Sequence, residues 1–244
     1  MRLNYDLKCY LNKDCFNQLK GIAILLVLLG HLNIIRHAGA WGVAIFLVVS
    51  GFGLTQSYFK NGVEEFIEKR LSKVWLPYAI VTLIWIIIDF FLRFEYSYKD
   101  AVKALIGLNF IGVFDASMWY ITFILIWYVI FYFTFANIKN DRLKIIILFL
   151  FSGLLYKFDF FHPAVGSYLY VLEFPIGILL GFIYKKLIST NPSPSKIVIA
   201  QSILGIIAFS IFYLLYSRFR SDITYLLESL FFAIAAFNFC GILS

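Results

Sequence analysis

Apolar residues fall along this chain in long, nearly charge-free blocks separated by short basic stretches. Eight blocks approach the roughly 20 residues that cross a bilayer as a helix. They are Leu19–Ile35, Trp41–Phe59, Val74–Leu92, Met118–Ala136, Leu143–Tyr156, Val165–Tyr184, Ile197–Tyr216 and Ile223–Ser244. Leu143–Tyr156 is short and fits a tilted or partly protein-buried helix. Ala104–Phe114 is too short to cross and fits a re-entrant or interfacial piece. Phe, Ile and Leu run around the whole circumference of most blocks, so periodicity assigns no core face. No repeat of the transporter kind is visible. Ser189 through Ser195, with Pro192 and Pro194, reads as a loop. The pattern predicts an all-α, polytopic transmembrane helix bundle of about eight spans, with residues 1–244 as a single domain.

Composition agrees and narrows the class. Of 244 residues, 62% are hydrophobic, 20% aromatic and only 14% charged, and the mean hydropathy is +0.86. A soluble domain of this size has too little interior for that much apolar surface. Disorder, a secreted disulfide scaffold and an ordinary cytosolic enzyme are thereby excluded. The net charge of +7 would suggest nucleic acid in a soluble protein. Beside a bilayer it reads instead as loops anchored at anionic headgroups, with no nucleic-acid partner. With the amino terminus cytoplasmic, fourteen of the 21 Lys and Arg residues fall on the inside, from Arg2 through Lys196. The outside then holds Arg36, Arg93, Lys99, Lys103, Lys157, Arg218 and Arg220, and this bias fixes the expected orientation. Ala38-Gly39-Ala40 resembles a signal-peptidase site. Asp6 and Asp14 precede it and seven apolar blocks follow, so cleavage is not expected. Cys9, Cys15 and Cys240 have no metal-ligand spacing and read as structurally silent, and no metal site is expected.

Ionisable groups inside a span are costly, so each is a functional candidate. His31 lies in the first block, and an imidazole near neutral pH is a general base or a satisfied interface group. Lys20 precedes it by 11 residues, which is three helical turns plus about 20°, so the two share a face about 16 Å apart. Lys20 is otherwise a snorkelling anchor. Ser50-Gly51 permits close helix approach, and the hydroxyl can reach a neighbour. Arg70 and Lys73, three apart, face the same way on a helix and suit a phosphate-bearing ligand, an anionic lipid head or plain anchoring. Glu173 stands two residues before Pro175, where a broken helix could let a carboxylate orient a histidine or bind a hydroxyl. Asp89 and Glu228 are nearer span ends and weaker, and His37 and His162 read as plain interface residues.

These pieces together resemble the membrane acyltransferase-3 family. Leu19 through His31 is similar to its opening signature, Gly42-Val43 through Ser50-Gly51-Phe52 to its second, and Phe66 through Pro77 to its third. Trp119-Tyr120 with Tyr128, and Phe174 with Gly177, resemble later and looser features. The resemblance implies an integral enzyme of the bacterial-type cytoplasmic membrane. Such an enzyme moves an acyl group, often acetyl, from acyl-CoA onto a hydroxyl of an envelope carbohydrate. It implies that His31 is the essential histidine, that Lys20 stands for the usual arginine, and that Arg70 and Lys73 serve the donor. Glu173 joins His31 and Lys20 as a catalytic candidate, and Ser50 joins the basic residues as a donor-binding one. The histidine deprotonates the acceptor or carries the acyl group, and both routes stay open.

Three departures follow. Lysine replaces arginine at Lys20 and Lys73, keeping charge but losing bidentate geometry. Ala44 stands where the family often has an acid. The family usually has about ten spans, so a carboxyl-terminally shortened form is expected. A small transporter or flippase and a non-catalytic truncated relative are the alternatives.

Overall fold

The computed structural model describes residues 13–92, 97–108, 118–158, 167–190, 192–218 and 221–243. Every regular element among them is helical. In chain order these are α1 (Lys13–His31), α2 (Ala38–Asn61), α3 (Phe66–Arg70), a π-helical turn (Leu71–Trp75), α4 (Leu76–Phe91), α5 (Tyr98–Leu105), α6 (Trp119–Asn137), α7 (Asp141–Phe158), a 3₁₀ turn (Ser167–Tyr170), α8 (Glu173–Ser189), α9 (Pro194–Arg218) and α10 (Asp222–Leu243). Among the described residues five helices are long and apolar enough to cross a membrane: Ala38–Asn61, Phe66–Phe91, Trp119–Asn137, Ser195–Ser217 and Asp222–Cys240. The helices at the other three expected spans, α1, α7 and α8, are shorter or interrupted by charge. Large apolar side chains point outward from α1, α4 and α9, among them Leu25, Ile80, Phe90, Ile203 and Ile206, as a lipid-facing surface requires. The chain is a multi-pass membrane protein.

It divides into two compact units, one of residues 1–59 and 169–244, the other of residues 60–168. In the first unit, Leu19, Ala23, Ala44, Ile45, Val48, Phe52, Ala233 and Phe237 form one buried cluster. Small residues let the backbones approach. Gly51 of α2 lies against the Phe174 carbonyl and the Ile178 amide of α8, and Gly177 of α8 lies against Val48 of α2. Gln56 Nε2 donates to the Gly181 carbonyl at 3.1 Å, tying the same two helices. The Ser50-Gly51 step is thus a packing device, with Ser50 half-buried beside it. Cys240 Sγ donates to the Cys15 carbonyl at 3.2 Å, which joins α10 to the start of α1. Burial pushes the Cys15 thiol up. Two of the three cysteines are therefore packing neighbours rather than silent.

Two helix ends differ from the sequence expectation for identifiable reasons. The first block was expected to run to Ile35, yet α1 stops at His31. Asn33 adopts a left-handed φ of 54°. Its N–H bonds to the Gly30 carbonyl and that of Ile34 to the Leu29 carbonyl, a Schellman-type stop. The sixth block was expected to be one helix broken at Pro175, but α8 begins at Glu173. Pro175 therefore sits in the first turn, where its missing N–H has no partner to lose, and no helix is broken there.

In the second unit, α3, the π turn and α4 run as one rod. Pro77, at the start of α4, cannot donate to the preceding turn, and the widened π turn lies immediately before it. Only Tyr78, Thr82 and Asp89 of α4 are buried, a single stripe. Tyr78 donates its hydroxyl to the Ala104 carbonyl at 2.7 Å, anchoring α5. Asn140 caps α7 by accepting from the Arg142 and Leu143 amides. Lys144, only 1% exposed, pairs with Asp141 at 2.8 Å and lies over the Phe135 ring. In the Ala104–Phe114 piece, Ala104 and Leu105 end α5; residues 109–117 lie outside the described residues, as does His162.

Candidate functional site

Lys20 and His31 share the continuous helix α1, as their spacing implied, and both side chains are exposed. His31 closes the last turn, directly after Gly30, which lies against the backbone of Gly39. Glu173 is fully buried at the start of α8. Its Oε1 accepts from Ser229 Oγ at 3.2 Å, and its Oε2 is buried without a hydrogen-bond partner. No hydrogen bond or ion pair joins Glu173 to His31 among the described residues.

Sequence reasoning missed the histidine that does have an acid partner. His37, in the turn between α1 and α2, holds a left-handed φ of 64°. Its Nδ1 lies 3.0 Å from Glu228 Oε1 on α10. Trp41 Nε1 donates to the same oxygen at 2.9 Å. Arg36 Nε donates to His37 Nε2 at 3.1 Å. That bond makes Nε2 the acceptor, so Nδ1 carries the proton and donates to the carboxylate. Tyr225 meets the His37 ring edge-on at 4.8 Å and shares a hydroxyl hydrogen bond with Tyr170. Glu228 and Ser229 are adjacent, so this network and the Glu173 contact form one polar patch inside the first unit. His37 and Glu228 are 191 positions apart. The only sequence signal was that both are ionisable groups near span ends.

In the second unit, Arg70 is half-buried at the end of α3. Its guanidinium lies 5.7 Å from the Phe66 ring centre and 5.4 Å from that of Tyr128. Its Nε is buried without a hydrogen-bond partner, and it forms no ion pair among the described residues. Neighbouring Lys69 is taken by Glu65 at 2.6 Å, and that bond holds the Glu65 carboxyl below its usual value. Arg70 lines an apolar cleft of about 490 Å³ with Trp75, Gly107, Leu125 and Phe133. Lys73 is exposed and lines a separate cleft of about 410 Å³ with Pro77, Tyr78 and Tyr128. The spacing of three implied one shared face. The π turn that begins at Leu71 changes the angle between the two, and Tyr128 is the wall common to both clefts.

A family model described as an acyltransferase domain, the acyltransferase-3 type, matches residues 13–244. No curated protein and no solved structure matches the chain.

Proposed function

The chain belongs to the acyltransferase-3 family and is a membrane acyltransferase, and from that premise we propose that it moves an acyl group, acetyl in the simplest case, from acyl-CoA to a hydroxyl of an extracytoplasmic carbohydrate. The observation that carries the donor half is Arg70, a guanidinium with a buried, unpartnered N–H on the wall of an apolar cleft. A phosphate-bearing thioester offers both parts of that chemistry, anionic oxygens for the cation and an apolar arm for the cleft. The orientation expected from the basic loops, with this segment facing the cytoplasm of a bacterial-type plasma membrane where acyl-CoA is available, supports that reading.

Lys73 and Lys20 add cationic charge on that side, and Ser50 offers a hydroxyl on α2. His31 either deprotonates the acceptor hydroxyl or carries the acyl group, and Glu173 is a buried carboxylate of the same unit. In either route a hydroxyl and a thioester become an ester and free CoA. His31→Ala is expected to abolish acetylation of surface glycan while the protein still inserts; wild-type acetylation in that variant would remove His31 from the mechanism. Arg70→Ala is expected to weaken acyl-CoA binding at least tenfold, measured by calorimetry on the purified chain. Unchanged affinity would return Arg70 to simple anchoring.

A further inference from the structure

We infer that His37, positioned by Glu228 and Trp41, is the acceptor-side base, whose Nε2 takes the proton from the hydroxyl that is acylated. This rests on the acyl-transfer reading above and assigns that reaction a second histidine.

Four observations converge. The Glu228 carboxylate, 4% exposed, receives the His37 Nδ1 proton at 3.0 Å and the Trp41 indole N–H at 2.9 Å. That arrangement fixes the ring's tautomer and rotation and leaves Nε2 as the free-electron-pair atom. A base oriented by a buried acid through its far nitrogen is the geometry in which histidine removes a hydroxyl proton. Second, Nε2 is not sealed in the core. His37 is 23% exposed, and the group on Nε2 is the side chain of exposed Arg36, which a substrate hydroxyl can displace. Third, the backbone of His37 is held at φ 64°, a conformation uncommon for a non-glycine residue that recurs at functional sites. Fourth, the network joins the α1–α2 turn, the start of α8 and the start of α10. The orientation expected from the basic loops places all three at the extracytoplasmic face, where a carbohydrate acceptor waits.

The step balances. His37 Nε2 accepts the hydroxyl proton as the oxygen forms a bond to the acyl carbonyl carbon. The bond from that carbon to its carrier then breaks. If the carrier is CoA, the thiolate leaves and takes the proton from the imidazolium to become a thiol. If it is His31, CoA left in the preceding step, and the freed imidazole is re-protonated from His37. Either way the products are ester and free CoA. The charged or titratable groups facing His37 are Arg36, Glu228, Tyr225 and Tyr216.

The test uses the full chain. Ester-linked acetate on the native cell's surface polysaccharide is measured in cells carrying matched amounts of each variant. Acetyl-CoA binding and melting are measured on the purified chain in nanodiscs. His37→Gln and Glu228→Gln are expected to lower acetate transfer about 100-fold or more, with acetyl-CoA affinity unchanged within about twofold. Glu228→Asp, which keeps a carboxylate for Nδ1, is expected to recover at least about tenfold of that loss. Arg36→Ala uncovers Nε2 and is expected to keep at least about half of the transfer. Wild-type transfer per folded molecule in both glutamine variants overturns the assignment, as does a loss in Glu228→Gln that follows lowered melting temperature and that Glu228→Asp does not recover. If the wild-type chain transfers no acetate at all, the acyl-transfer reading fails. If it transfers and His31→Ala does not, yet His37→Gln does, only this inference fails.

Discussion

Replacing Gly177 with alanine probes the closest backbone approach in the first unit. A methyl at that position meets the Val48 carbonyl carbon at 2.9 Å and its Cα at 3.0 Å, and collides with the Val48 oxygen. Backbone atoms on both sides cannot rotate away, so α2 and α8 must separate. Ordinary carbon contacts lie at about 3.5–4.0 Å, which asks for roughly 0.5–1 Å of movement. A gap of that size forfeits a quarter to a half of each contact worth about 0.1–0.2 kcal/mol, and a helix crossing holds on the order of 40 such contacts. The loss is therefore about 2 kcal/mol, within the usual range for overpacking. Separated helices in a bilayer stay helical, so alanine's better helix propensity offsets little of it. For a chain of this size about 2 kcal/mol lowers the melting temperature by roughly 4–8 °C. The assay is thermal unfolding in nanodiscs, with Gly53→Ala as control, because a methyl at Gly53 meets nothing within 4 Å. Gly177→Ala melting together with Gly53→Ala and the wild type would refute the reasoning.

Other consequences can be measured on the same preparation. Asp141→Asn removes one charged partner of the buried Lys144 ammonium and is expected to lower the melting temperature by a few degrees, about 1 kcal/mol given how exposed Asp141 is. Adding Lys144→Met should restore it, and a double variant no more stable than the single one would contradict the pairing. Cys15, whose thiol burial pushes up, is expected to resist maleimide at pH 7–8 in a Cys9→Ser background and to react fully once denatured. Rapid labelling of the native protein would show the α1–α10 contact to be open.

The helical class and most helix positions were legible because long charge-free blocks admit no other structure in lipid. The α1 and α8 ends were not, since each depends on one local device: Asn33 in a left-handed cap, and Pro175 placed in a first turn rather than mid-helix. Gly51 was legible as a close-approach residue, but its partner on α8 was not. Arg70 and Lys73 were legible as a basic pair. Their separation into two clefts was not, because a π turn leaves no spacing signature in sequence. His37 and Glu228 were the deepest omission. Neither carries a motif, and only the packing of α10 beside the α1–α2 turn turns two ordinary interface residues into a dyad.

The first unit is discontinuous in sequence, and that bears on how the protein is made. Helices α1 and α2 leave the ribosome first, but their buried cluster is completed by Ala233, Phe237 and Cys240 of α10. Residues 62–221, 160 in all, are synthesised between α2 and α10, which at roughly 5–20 residues per second means on the order of 10–30 s. During that interval Cys15, Leu19 and Ala44 have lipid, a translocation channel or a chaperone as neighbours instead of their final partners. Membrane insertion and assembly are therefore separate events for this protein. A ribosome stalled before α10 should hold a chain that is inserted yet still open to proteases and thiol reagents.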